Sequence, residues 1–344
     1  MPLDPPRWWY DPAHTPAWSV ALRPLADAYN SGVKRRFRVA EPYRSPLPVI
    51  CIGNLTMGGA GKTPLALHVA EVLQGMGLKP GFLSRGYGGR ERGPLRVDAR
   101  AHTARDVGDE PLLLARTAPA VVSRDRRLGA QSLEGLGVDV IVMDDGFQNP
   151  ALLKDLCLVA VDGAAGVGNG KVFPRGPLRA DLSFQLPMAD AFVVIGEGPA
   201  FPFLSETGKP VLHATFGPSH PPDAYAGRWI AFCGIGRPAK FFATLRGAGI
   251  DIAAEVPFPD HHAFTRDDER RLLALAAKHG AGLLTTEKDQ ARLWRSQQAS
   301  ALARAAQGYP VRLAFPSADA LRLRSVLEQM ITRRKADTPT AVPV

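Results

Sequence analysis

The chain has 344 residues, enough for two domains at roughly 150 residues each. Apolar residues make up 45% and charged residues 22%, an ordinary globular balance that excludes a disordered chain. The formal net charge of +9 favours anionic partners: nucleotides, nucleic acid or an anionic membrane surface. Cys51, Cys157 and Cys233 each sit in an apolar run, so buried free thiols in a reducing compartment are expected, not a disulfide framework. No Cys-x-x-Cys pair points to zinc or iron–sulfur. No apolar run approaches the ~18 residues of a membrane span. The N-terminus carries prolines and acids where a signal peptide needs a basic start and an apolar run. A cytoplasmic chain that does not cross the membrane is expected.

Residues 1–44 stand apart. They hold Trp8, Trp9 and Trp18, and a helix predicted over Ala17–Val33 with Val20, Leu22, Leu25, Ala26 and Tyr29 near one face. A basic cluster follows at Lys34–Arg38. Aromatics and basic residues beside an amphipathic helix suit a membrane interface; a helix packed on the core with a solvated basic end is the plainer alternative. From residue 47 short apolar strands alternate with helices. Strands are predicted at Val49–Ile52, Gly81–Ser84, Ala120–Ser123, Val138–Met143, Leu156–Val161 and Ala191–Ile195, with helices at Lys62–Gly77 and Arg127–Leu136. Near-continuous apolar strands separated by helices imply a parallel sheet covered on both faces. The Pro-, Gly- and Ser-rich stretch Phe216–Asp223 is predicted to be a linker. A second α/β unit follows, with strands at Trp229–Cys233 and Gly282–Thr285 and helices at Ala239–Arg246 and Arg266–His279. Leu321–Arg333 is predicted as a last helix before a frayed tail.

The strongest chemical signal is Val49–Pro64, VICIGNLTMGGAGKTP. A buried strand runs into a glycine-rich loop, then Gly61-Lys62-Thr63, then an amphipathic helix. Backbone N–H groups of Thr56, Met57, Gly58, Gly59, Ala60 and Gly61 would converge on phosphate at a helix N-terminus. Lys62 would reach the β- and γ-phosphates and Thr63 would hold Mg²⁺. The strict P-loop spacing has Gly where this chain has Thr56. Val138–Gln148 is a buried strand ending in Asp144 and Asp145, where a carboxylate pair completes a Mg²⁺ shell; an Asp-Gly surface turn is the alternative. Guanine-specific folds use Asn-Lys-x-Asp, and Thr286-Glu287-Lys288-Asp289 breaks that spacing, which favours ATP.

These residues carry a resemblance. The chain resembles the tetraacyldisaccharide 4'-kinase (lipid A 4'-kinase) family through Gly53–Pro64, Ser84–Gly89 (SRGYGG), Val107–Pro111 (VGDEP), Asp144–Gln148 (DDGFQ), Gly176–Arg179 (GPLR), Asp260–His262 (DHH) and Thr286–Asp289 (TEKD), in the family's order. The resemblance implies a P-loop NTPase-like, mainly parallel sheet core over 45–218 and a smaller α/β domain over 224–316. A C-terminal helix over 317–335 and a tail at 336–344 complete the expected layout. It implies transfer of the γ-phosphate of ATP, with Mg²⁺, to the 4'-hydroxyl of a tetraacyldisaccharide 1-phosphate, giving lipid IVA. It implies work at the cytoplasmic face of the inner membrane, through the N-terminal segment, with no nucleic acid partner. The family's Asp and His pair falls on Asp109 and His261, beside Lys62 as catalytic residues. Family members carry Glu after Gly-Pro-Leu-Arg; here Ala180 stands there and Asp181 follows.

Other residues have two readings. Asp109 precedes a predicted helix around 111–116 and so is equally an N-cap. Which of Asp109 and His261 takes the proton is open, and His262 reads as structural. Arg124, Arg126 and Arg127 follow a predicted strand; arginine forks there suit the substrate's 1-phosphate, or simply a solvated helix start. Arg85 and Tyr87 follow another strand end, where α/β clefts bind substrate. A partner-driven P-loop ATPase and a non-enzymatic membrane or nucleic-acid binder are the competing classes.

Overall fold

The computed structural model describes residues 6–218, 225–236, 238–260, 262–293 and 300–337. In chain order the strands are β1 (Val49–Asn54), β2 (Pro80–Ser84), β3 (Leu95–Arg96), β4 (Ala120–Val122), β5 (Val140–Asp144), β6 (Leu156–Asp162), β7 (Ala191–Ile195) and β8 (Val211–Pro218). They continue with β9 (Arg228–Cys233), β10 (Asp251–Pro257), β11 (Gly282–Thr286), β12 (Ala306–Tyr309) and β13 (Val311–Ala314).

Every residue of β1, β5, β6 and β7 is buried. Period-2 geometry sends alternate side chains to opposite faces. Ile50, Ile52, Val140, Val142, Leu156 and Leu158 join one core with Leu65, Val69 and Leu73 of the helix Lys62–Gly75. Val49, Cys51, Ile141, Met143, Cys157 and Val159 join the other with Leu133 of the helix Arg126–Glu134. The large sheet has the order β13-β8-β7-β6-β1-β5-β2-β4-β3. Its inner pairs are parallel, and β13 and β3 run antiparallel at the two edges. The second sheet, β10-β9-β11-β12, is parallel throughout. Phe241, Phe242 and Leu245 of the helix Pro238–Gly247 cover one of its faces, and Leu272 and Ala276 of the helix Arg266–His279 cover the other.

Two expectations about layout change. Residues 216–218 lie in β8, not in a linker, because β8 pairs antiparallel with β13 along Thr215–Pro218. Gly and Pro are tolerated at the end of such a strand. Residues 219–224 lie outside the described residues. The chain then returns: β13 and the helix Ser317–Asp337 rejoin the first core through Leu313, Leu323, Leu327, Met330 and Ile331. The smaller sheet is therefore an insertion between β8 and β13, and the stretch expected as 224–316 gives up β13 to the larger sheet. Of the tail at 336–344, residues 336 and 337 still belong to the last helix and the remainder lies outside the described residues.

The N-terminal helix also differs. A 3₁₀ stretch, Ala17–Leu22, leads into the α-helix Arg23–Val39, and the basic cluster lies inside that helix. Pro24 sits in the first turn, where its missing N–H is no loss. The expected apolar stripe splits. Ala26 is buried and Tyr29 packs on Phe173 at 5.3 Å, whereas Val20 and Leu25 face outward.

If the last helix is integral to the core, Leu327→Ala should cost about 2–5 kcal/mol in denaturant unfolding. A loss below ~0.5 kcal/mol, the range of surface substitutions, would mean that the helix is dispensable.

Candidate active site

In a parallel sheet the carboxyl ends of neighbouring strands share one edge, and α/β ligand clefts form there. With β6, β1, β5, β2 and β4 adjacent, that edge collects the glycine-rich loop, Asp144-Asp145, Arg85 with Tyr87, and Arg124.

The loop 55–61 turns on two glycines, Gly58 at φ 120° and Gly61 at φ 87°, in the left-handed region. A Cβ on Gly61 would also meet Ile195 Cδ1 at 2.8 Å. Among the described residues the only non-glycine with positive φ is Asp145. Thr56 is thus in ordinary backbone geometry, bridged antiparallel to Leu178, and needs no glycine there. The segment around GPLR clasps the loop. Met57 N–H donates to Pro177 O (2.7 Å) and Arg179 Nε donates to Thr56 O (3.1 Å). Tyr10 hydroxyl donates to Met57 O (3.0 Å) and Asn54 Nδ2 to Gly58 O (3.2 Å). Gly59 is open to its surroundings and Ala60 is buried.

Lys62 and Thr63 open the helix that follows. Thr63 Oγ1 donates to Asp144 Oδ2 at 3.3 Å. Asp144 Oδ1 is buried and has no hydrogen-bond partner. Burial, then the charges of Glu110 and Asp145, push the Asp144 carboxyl up to about 7. Asp145, at φ 52°, lies 3.8 Å from Lys62 Nζ and 3.2 Å from Arg179 Nη1. Burial raises its pKa, but Lys62 and Arg179 outweigh it and hold Asp145 below the ordinary carboxylate range. Two adjacent acids thus have opposite tendencies: one is paired with cations, and the other is left with an unused oxygen.

Asp109 is buried at the start of the helix Asp109–Leu114; the residue before that helix, its N-cap, is Gly108. Its Oδ2 accepts from Arg292 Nη2 (2.5 Å) and Nε (3.1 Å). Beside it Lys288 Nζ donates to Glu110 Oε1 at 2.5 Å. Burial lowers the Lys288 pKa, yet the Glu110 and Asp109 carboxylates hold it raised overall. Lys288 and Arg292 come from the helix Glu287–Leu293 of the smaller sheet, so two ion pairs tie the two units together.

The remaining expected residues divide. Arg85, Tyr87, Arg124 and Arg127 are exposed, and Arg127 lies over the Tyr43 ring at 5.4 Å. Arg126 departs from the expected free fork. It is only 2% exposed, Nη1 donates to Ser123 O (2.9 Å), and burial lowers its pKa to about 10. Its Nε is buried without a partner. Ala180 is fully buried. Asp181, the next carboxylate along, does not face the phosphate loop. It binds Lys34 Nζ and Asn30 Nδ2 (both 2.5 Å) and caps the short helix Leu182–Gln185. His262 stacks on Phe258 (4.8 Å) and bonds Asp268 (2.9 Å), a packing role. His261 lies outside the described residues.

Residue type and spacing alone give no role to Glu110, Arg179, Lys288 or Arg292. The first three sit inside the quoted blocks VGDEP, GPLR and TEKD, so the signal was present but their partners are distant in sequence. Arg292 follows Asp289 by three residues, a helical pairing distance that marks the Asp289 contact but not the Asp109 one.

Comparison with known proteins adds to this geometry. The pattern of the LpxK family, Tetraacyldisaccharide-1-P 4'-kinase, matches residues 18–332. The tetraacyldisaccharide 4'-kinase of Parvibaculum lavamentivorans is 48% identical over 325 residues, covering 91% of this chain and 95% of that protein. That of Methylobacterium nodulans is 49% identical over 327 residues, covering 93% and 94%. The crystal structure of "apo" form LpxK from Aquifex aeolicus in complex with ATP aligns with TM-score 0.72 at 26% identity, covering 91% of this chain and 99% of that one. With nearly its whole length accounted for by family pattern, relatives and fold alike, the chain belongs to the tetraacyldisaccharide-1-P 4'-kinase family.

Proposed function

We propose that this chain transfers the γ-phosphate of ATP to the 4'-hydroxyl of a tetraacyldisaccharide 1-phosphate, forming the 4'-O–P bond of lipid IVA and releasing ADP. One observation carries the site assignment. Glu110, next to Asp109, interacts electrostatically with both Lys62 and Asp144, so the Asp109 helix begins beside the phosphate loop. The loop amides and Lys62 neutralise the phosphates, the main demand of phosphoryl transfer. Asp109 accepts the proton of the attacking hydroxyl, alone or with His261. Arg85, Tyr87 and Arg124, exposed at the same edge, hold the sugar and the 1-phosphate.

The donor set fits Mg²⁺. Thr63 offers a hydroxyl and Asp144 a buried oxygen without a partner, hard ligands of the kind this ion takes. Mg²⁺ usually keeps waters and phosphate oxygens in its shell, so two protein ligands suffice. When bound, it supplies charge neutralisation at the β- and γ-phosphates. Asp145, already paired with Lys62 and Arg179, orients those two cations.

The lipid substrate brings the membrane into the reading. No described helix is long and apolar enough to cross a bilayer. The N-terminal segment instead exposes Trp18 (61%), Val20 (59%) and Leu25 (60%), with Arg35, Arg36 and Arg38 exposed along the same helix. Apolar anchors beside cations suit shallow insertion into an anionic leaflet, which would be the cytoplasmic face of the inner membrane.

Three outcomes are expected. With labelled ATP and the acylated disaccharide 1-phosphate in micelles, wild type makes phosphorylated lipid. Lys62→Ala loses about 10²–10³-fold in kcat, and Asp109→Asn about 10²–10⁴-fold. ATP hydrolysis without lipid product would replace the kinase reading with a partner-driven ATPase. Without nucleotide or metal, Asp144→Asn should raise Tm more at about pH 8 than at about pH 5. The folded carboxyl near 7 binds a proton that the unfolded one, near ~3.9, has already lost. The ionised form therefore costs stability fully only above pH 7, and equal Tm changes at both pH values would remove that assignment. Finally, Trp18→Ser with Leu25→Ser should reduce flotation with anionic vesicles while leaving Tm within a degree or two; undiminished flotation would refute docking through this face.

A further inference from the structure

We propose that Arg292 is a positioning residue for phosphoryl transfer, holding the Asp109 carboxylate from the smaller domain so that the base is set only when the two domains are docked. This rests on the reading of Asp109 as proton acceptor.

The guanidinium is fixed on its own side first. Arg292 Nη1 donates to Asp289 Oδ1 (2.6 Å) and to Gly234 O (2.7 Å). Asp289 is held in turn: its Oδ2 accepts from Gly234 N–H (3.0 Å) and from the Thr286 hydroxyl (2.6 Å). Asp289 N–H donates back to Thr286 Oγ1 (3.0 Å). The loop after β9 and the helix Glu287–Leu293 therefore define the plane of the fork before it meets the core.

The remaining donors, Nε and Nη2, both fall on Asp109 Oδ2. Arg292 thus grips this oxygen through two donors, which restrains rotation of the carboxylate about the Cβ–Cγ bond. The side chains of Arg292, Asp109 and Asp289 are 9%, 6% and 0% exposed, so water does not substitute easily for either partner. An arginine in such a cluster does two things. It supplies planar geometry that a point charge does not, and it keeps a buried carboxylate ionised. Among the described residues, the charged groups around Asp109 include Arg292, Lys288, Glu110 and Asp289. Arg292 is the cation bonded to it through two donors, and Lys288 is bonded to Glu110.

The functional consequence is a coupling between domain docking and chemistry. Asp109 stands on the core, near Lys62 through Glu110, while its orientation comes from the insertion. Displacing the smaller domain would release Arg292 from Asp109 and remove the bonded cation that favours the ionised form of this buried carboxylate.

The test compares full-length wild type, Arg292→Lys, Arg292→Gln and Asp109→Asn for lipid phosphorylation across pH, with Tm and ATP affinity as folding controls. Arg292→Gln keeps a planar amide donor but is shorter and loses both the fork and the charge. It should lower kcat at least tenfold, leave the KM for ATP within about threefold, and move the acid limb of the kcat profile up by about one unit or more. Arg292→Lys keeps the charge and loses the fork, so it should lower kcat while leaving the acid limb in place. Wild-type kcat in both variants would overturn the proposal. So would equal losses with an unmoved acid limb in both, since that pattern marks support of the fold alone. Asp109→Asn separates the two levels: if it retains wild-type kcat, the assignment of Asp109 fails. If it is inactive while both Arg292 variants are normal, only the positioning role fails.

Discussion

The register of β1 against its neighbours is the constraint on which the site depends. β1 lies between β5 and β6, parallel to both, with Ile52 opposite Asp144 and opposite Leu158. That register ends β5 only two residues short of the end of β1, so the loop after β1 and the carboxylates at the end of β5 face each other. Thr63 meets Asp144 and Lys62 meets Asp145 for this reason. The register itself is held by burial: a one-residue slip of β1 would exchange Ile50 and Ile52 with Val49 and Cys51 between two filled cores.

Close approach tightens this arrangement. Gly53, near the end of β1, leaves room for Phe147; a Cβ there would lie 2.2 Å from Phe147 Cβ. Phe147 in turn belongs to the second core, so the Asp144–Gln148 block is packed against the strand that feeds the phosphate loop. Asp145 is held in the left-handed region between these contacts, a local cost of the kind that concentrates at functional sites. Its pairing with Lys62 and Arg179 offsets that cost while leaving Asp144 the less solvated and less compensated acid.

The N-terminal segment reaches the same region by another route. Trp9 is buried, Trp9 O accepts from Asn169 N–H, and Trp9 Nε1 donates to Pro174 O. Asn30 and Lys34 bind Asp181, two residues beyond the arginine that bonds Thr56 O. The face turned to solvent and the face turned to the phosphate loop therefore belong to one continuous packing unit. Ala180 is buried, and the adjacent acid, Asp181, serves this packing rather than the phosphate loop.

Local and periodic features were legible from the residues. Strands buried on both faces and the Gly61-Lys62-Thr63 turn into a helix depend on neighbours a few positions apart, and the observed strands and the helix Arg266–His279 follow the predicted ones closely. Residues 216–218 and β13 were not legible, because an edge strand is defined by its partner, and the antiparallel partner of β8 lies beyond the inserted smaller sheet. The same holds for charge. Sequence marked Asp109, Asp144 and Asp145 as acids worth attention, but tertiary packing decided which acid meets Arg292, which meets Lys62 and Arg179, and which keeps an unpaired oxygen. It also buried Arg126 and committed Asp181 to Lys34. Residue type and spacing determine which groups can ionise and which backbone turns can form. Burial and long-range pairing, set by the closed fold, decide what each charged group does.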